Sequence, residues 1–136
     1  MKLSSAEARA RFSAARVARL ATVSADGVPH LVPVTFAVHG DEVVFAVDHK
    51  PKSSTSLRRL RNIAENPAVC FLVDGYAEDW SQLWWARADG SARVVSSRDE
   101  PISWLVAKYE QYRERPPEHA VVVTTVHTWS GWAGSA

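Results

Sequence analysis

The chain alternates between two hydrophobic periods. Runs with apolar residues at every second position, or nearly continuous, mark strands; apolar residues spaced at three and four mark helices. "LSSAEARARFSAAR" opens with Ser4 and Glu7 in capping-box spacing, with Phe12, Val17 and Leu20 as the larger apolar anchors, and predicts a helix over 5–16. "VARLATVS" and "VPHLVPVTFAVH" then read as two strands around the turn Ala25–Gly27, whose Asp-Gly pair is a hairpin signal. Pro29 and Pro33 each remove a ladder donor, which places parts of the second strand at a sheet edge or a bulge. "HGDE" turns the chain into a third strand, "VVFAVD".

"SSTSLRRLRNIAEN" follows as a helix, with Ser53, Ser54 and Thr55 as possible caps. Leu57, Leu60 and Ala64 share one predicted face, with Arg58, Asn62 and Glu65 opposite; Asn66-Pro67 stops it. "AVCFLVDGY" is the fourth strand, "EDWSQ" a loop, and "LWWARADGSARVVS" a long fifth strand with a bulge expected at Asp89-Gly90. Ser97 and Glu100 repeat the capping-box spacing before a helix "PISWLVAKYEQYRER", which Pro116-Pro117 ends. "AVVVTTVHTW" is the last strand, with a short tail after it. About six strands with mostly hairpin-like connections and inserted helices predict an α+β protein built on an antiparallel barrel. The 136 residues suit one domain, 1–136, without repeat or linker.

Composition narrows the function. The formal net charge is +1, from 16 basic and 15 acidic residues, so a general nucleic-acid partner is not expected. No segment approaches the roughly 20 apolar residues of a membrane span, and no hydrophobic signal core opens the chain. With one cysteine there is no internal disulfide, and a cytoplasmic protein is the expectation. Cys70 lies in the apolar run "AVCFLVD" and reads as packing. Five histidines, at 30, 39, 49, 119 and 127, have no metal-ligand spacing, so no metal site is expected. No Gly-x-Ser-x-Gly and no cysteine with a nearby base argues for covalent catalysis, which leaves the catalytic residues unassigned.

Against this balance, residues 49–64 carry Lys50, Lys52, Arg58, Arg59 and Arg61 with no acid among them. A strand ending in Lys-Pro-Lys, then hydroxyls, then a helix start, is suited to an anion: free backbone N–H groups, a partial positive charge and point charges converge there. The glycines of a P-loop are missing, so a triphosphate is not indicated. A solvated basic helix face is the competing reading. Trp80, Trp84, Trp85 and Trp104 cluster in sequence, and Trp129 and Trp132 close the chain. Adjacent Trp84 and Trp85 must point to opposite strand faces, which favours a cleft or an interface over an ordinary core.

The series "RLATVSADGVPHLVPVTFAV", "VVFAVDHKPK", "LRRLRNIAENPAVCFLVD" and "EDWSQLWWARADGSARVV" resembles the pyridoxamine 5'-phosphate oxidase-like, FMN-binding split-barrel superfamily. More closely, it is similar to the branch of PPOX-class deazaflavin (coenzyme F420)-dependent oxidoreductases. The resemblance implies an antiparallel split β-barrel and a homodimer with two cofactor clefts at its interface. It also implies a phosphate held by Lys50, Lys52, Ser53 and Ser54 with Arg59 or Arg58, and His30, Val32, Pro33 and Val34 running under the ring. Trp80 and Trp84 would wall the substrate cleft or fill the dimer interface. Some members of the superfamily bind FMN and others F420, whose phosphate carries a lactyl and oligoglutamate tail. The spread of positive charge from Lys50 to Arg61 favours the second, with a small unsaturated or conjugated molecule as substrate. An FMN-dependent oxidoreductase and a non-catalytic cofactor carrier are the alternatives.

Overall fold

The computed structural model describes residues 1–47 and 54–135, for 54–57 the backbone alone. Four helices and seven strands follow in the order α1 (Ser5–Ala14), β1 (Ala18–Val23), β2 (Pro29–Val34), β3 (Ala37–His39), β4 (Glu42–Ala46), α2 (Ser54–Glu65), β5 (Ala68–Gly75), β6 (Trp84–Val95), α3 (Asp99–Lys108), α4 (Glu110–Glu114) and β7 (Val121–Ala133), with one 3₁₀ turn at Trp80–Gln82. The strands form one antiparallel sheet in the order β2-β1-β5-β6-β7-β4-β3. Its two edge strands, β2 and β3, are joined by only Thr35 and Phe36, so the sheet curls until its edges meet at that corner. That is the α+β split barrel expected.

Strand alternation sorts the side chains into rows. Val34, Ala18, Val73 and Ala86 share one inward row, and Val32, Leu20, Phe71, Ala88 and Trp129 the next. Helix α1 plugs this interior. Ser4 caps it by accepting from the Glu7 amide at 3.1 Å, and its Phe12 lies 4.8 Å from Phe36, 5.4 Å from Trp129 and 6.2 Å from Phe71, centroid to centroid. A second apolar layer lies outside the barrel, where Leu105 and Tyr109 meet Ala37, Val44, Val121 and Val123.

Several local expectations hold. Gly27 takes φ 82° at the first hairpin, where its amide bonds to Ser24 O at 2.9 Å. Proline-bearing β2 is an edge strand, and β6 shifts register between Asp89 and Gly90. Others are corrected. The run 28–39 is two strands, because Phe36 turns inward as a fully buried core residue and breaks the ladder. Helix α1 stops at Ala14, since Ala15 is extended and the Lys108 ammonium bonds the Ser13 and Ala15 carbonyls at 3.2 and 2.7 Å. The Ser97–Glu100 capping box does not form; α3 begins at Asp99 without a side-chain cap. The single helix expected over 101–115 divides at Tyr109, whose hydroxyl donates to Arg16 O at 2.8 Å and accepts from the Phe36 amide at 3.1 Å. The tail after Trp129 is strand: β7 runs to Ala133, and Gly131 is needed there because a Cβ would sit 2.7 Å from Trp85 O. In α2, Asn62 is buried and donates to Thr22 Oγ1 at 3.0 Å, while Ala64 is exposed, so the apolar face is rotated toward Asn62 and Ile63.

Candidate functional site

Two of the sequence-predicted groups come together where α2 crosses the β1–β2 hairpin. Alternation along β2 turns His30, Val32 and Val34 inward and leaves Pro33 exposed. Thr22 lies directly across from His30 and holds Asn62 of α2, which fixes the helix over this end of the hairpin. The same helix presents Arg58 and Arg59. The Arg59 guanidinium stands 6.0 Å from the Phe45 ring centroid, and with Pro33, Val34, Thr35, Ala46 and Tyr112 it lines a concavity of about 320 Å³. Thr35 and Tyr112 close one side of it through a 3.0 Å hydroxyl–hydroxyl bond. Lys50, Lys52 and Ser53 lie outside the described residues; Ser54 begins α2.

His30 reports the electrostatics of this corner. Its Nδ1 is buried without a hydrogen-bond partner among the described residues. Burial, then repulsion from Arg58 and Arg59, holds its pKa below the ordinary 6.5. The folded protein therefore favours neutral imidazole. The stability this contributes is complete above about pH 6.5 and is lost as pH falls toward the lowered value, because the unfolded chain takes up the proton first. An anion beside the two arginines would reverse part of the shift. A histidine-resolved NMR titration should place His30 below 6.5, and saturating inorganic phosphate should raise it. A midpoint that phosphate leaves unmoved would separate His30 from any anion site.

Trp80 and Trp84 lie elsewhere. Trp84 packs inward across Gly75, where a Cβ would fall 2.2 Å from its Nε1, and the Arg11 guanidinium sits 5.6 Å from its ring centroid. Trp85 points to the outer face, as adjacent strand positions require. Trp80 is 69% exposed on a turn held by Asp79, which accepts from the Ser81 amide at 3.0 Å, and by the Gly134 amide, which donates to Leu83 O at 2.7 Å. Trp84, Trp85, Trp132, Leu72, Leu83 and Tyr76 line a concavity of about 450 Å³ that shares no residue with the one beside Arg59. Trp85 and Trp132 are cross-strand partners, a pairing that needs the β6–β7 register. Sequence reading also passed over Tyr112, whose role depends on the break at Tyr109.

Cys70 sits on the outer face with its thiol pKa pushed up, chiefly by burial, which fits packing rather than reactivity. Among the described residues no helix is long and apolar enough to cross a membrane.

The fold and sequence have clear relatives. The chain is 22% identical to an FAD-binding protein of Mesorhizobium loti, with a TM-score of 0.71 over 96% of this chain and 93% of that one. It is 20% identical to an FAD-binding protein of Mycobacterium smegmatis, with a TM-score of 0.67 over 97% and 96%. At these identities the likeness is one of fold. A stretch of 56 residues is 43% identical to the 5a,11a-dehydrotetracycline/5a,11a-dehydrooxytetracycline reductase of Streptomyces rimosus. That match spans 41% of this chain and 38% of the reductase. The family described as pyridoxamine 5'-phosphate oxidase matches residues 4–133. Nearly the whole barrel, from the cap of α1 to the end of β7, falls within that match, and the chain belongs to the pyridoxamine 5'-phosphate oxidase family.

Proposed function

We propose that this protein is an F420-dependent oxidoreductase that passes hydride between the reduced deazaflavin and a small unsaturated or conjugated substrate. The observation that carries the reading is the convergence of Arg58 and Arg59 with the unpartnered Nδ1 of His30 at the edge of the barrel, in a segment whose sequence is densely basic. The donor set fits an anionic cofactor: two guanidiniums, a helix that begins beside them and a hydroxyl pair, Thr35–Tyr112, at the adjoining concavity. The likeness to a reductase supports redox chemistry.

The deazaflavin supplies the hydride chemistry when bound. The chain's own residues hold and shield it. Arg58 and Arg59 would take the phosphate and its acidic tail, with Lys50, Lys52, Ser53 and Ser54 as their partners from the sequence. Neutral His30 keeps a third cation out of the barrel interior. Val32 and Val34 give the inner side of β2 an apolar surface that excludes water.

A homodimer is part of the same proposal. The outer face carries exposed Leu31 on β2 and Leu72 on β5, with Leu31 67% exposed, which is unusual for a strand residue left wet. The arginine-lined and tryptophan-lined concavities share no residue within one chain, and a cleft between two copies would let one cofactor reach both.

Titration with both cofactors tests the assignment. F420 should bind more tightly than FMN, because its tail carries carboxylates that FMN lacks and the basic segment extends beyond one phosphate. Tighter FMN binding would make the protein an FMN-dependent oxidoreductase of the same fold.

A further inference from the structure

The tryptophan-lined concavity on the outer face has a chemical character of its own. Its walls follow from register. Asp74 on β5 lies directly across from Trp85 on β6, and Trp85 directly across from Trp132 on β7, so an acid and two indoles form one row. Leu72 and Arg87 face each other in the next row, and Tyr76, Leu83 and Trp84 close the end. Trp85 and Trp132 are 38% and 39% exposed, and both line the concavity. An aromatic-walled hollow of about 450 Å³ is large enough for a small ring-bearing molecule.

The charges around it are unequal. Arg87 is satisfied within its own strand: its Nε and guanidinium nitrogens donate to both Asp89 oxygens at 2.7 to 3.0 Å. Arg11, above Trp84, is likewise bonded to Glu7 at 3.0 Å. The Asp74 carboxylate has no ion pair and no hydrogen bond among the described residues, although it lines the hollow. Of the charged residues that line the hollow, Arg87 is paired and Asp74 is not; Lys2, across from Trp132, and Arg19, across from Leu72, stand outside the lining. Indole rings beside a carboxylate that no lining cation pairs are surroundings that attract an alkylated ammonium group.

We propose that this concavity is a binding site for a flat aromatic or conjugated molecule that carries a protonated tertiary amine. Trp85 and Trp132 hold the rings and the alkyl groups on nitrogen, and Asp74 holds the charge. If the redox reading is right, this is the substrate end of the cleft; the site itself requires no cofactor, and its test uses binding alone.

The test is calorimetric titration of the full chain at pH 7 with N,N-dimethyl-1-naphthylmethylamine, which is cationic there. Its counterpart is 1-naphthylacetate, an anion with the same ring. The cation should bind once per chain, at least tenfold more tightly than the anion. Asp74→Asn should remove that preference, while Asp89→Asn, which releases Arg87, should strengthen the anion and weaken the cation. Trp132→Leu should weaken both, and spectra of the aromatic region should show each variant folded. Equal binding of the two probes, or a preference that survives Asp74→Asn, would overturn the proposal. So would absence of binding at millimolar probe, the outcome expected if a second copy of the chain fills the hollow. Success here with failure of F420 binding would leave the amine site standing and remove the F420 assignment.

Discussion

Phe12→Ala is expected to lower the unfolding free energy by about 3–5 kcal/mol, the usual cost of emptying a buried aromatic site. The ring is fully buried and is the point where α1 meets the barrel, touching aromatic rings from three different parts of the sheet: Phe36 at the β2–β3 break, Phe71 on β5 and Trp129 on β7. Phe71 and Trp129 sit on strands fixed by their ladders and Phe36 in the two-residue join between β2 and β3, so the rings cannot close over the space a phenyl leaves. In a chain of this length roughly 3 °C of melting temperature goes with each kcal/mol, so a fall of about 10 °C or more is expected. Denaturant unfolding should show the midpoint shifted at unchanged slope. Phe12→Leu, which refills much of the volume, should lose less than half as much. A loss under about 1 kcal/mol for the alanine variant would mean that α1 is a surface strap and not the plug of the barrel.

The second large effect is on binding. Lys52→Ala and Arg58→Ala should each weaken the phosphate-bearing cofactor by about tenfold to a hundredfold, since a charge-assisted contact contributes roughly 1.5–3 kcal/mol and each 1.4 kcal/mol is tenfold. Arg58 is exposed and raises the cost of charging His30, so its removal should leave the stability of the cofactor-free protein unchanged or slightly higher. Arg58→Ala should cost F420 more than FMN, because it removes charge from the side where the acidic tail would run. Wild-type affinity should fall with added salt, and less steeply in either variant. Normal binding by both variants would return the segment from Lys50 to Arg61 to a solvated basic face.

The strands and their order of appearance were legible because β1, β5 and β6 alternate cleanly between core and surface, and because Asp26-Gly27 and Asn66-Pro67 punctuate them. The barrel itself was legible from the count of hairpins and from the family resemblance. What escaped depended on contacts between distant parts of the chain. Tyr109 breaks a helix that its local sequence would continue, because its hydroxyl is held by Arg16 and Phe36. Asn62 reads as a polar surface position until Thr22, 40 residues away, supplies its partner. In the site, His30 and the α2 arginines were identified from sequence, and the structure brings them together. Trp80 and Trp84 were identified as well, but on one chain they lie apart from that corner. The partnership of Trp85 with Trp132 and Asp74 could not be read, since it is set by cross-strand register, which no local pattern records.

Native mass spectrometry of the protein purified from a host that makes both F420 and FMN tests the central claim most directly. The predicted species is a dimer of about twice the 15.0 kDa chain, carrying up to two molecules of F420. A bound mass equal to FMN, or a monomer that retains no cofactor, would contradict it.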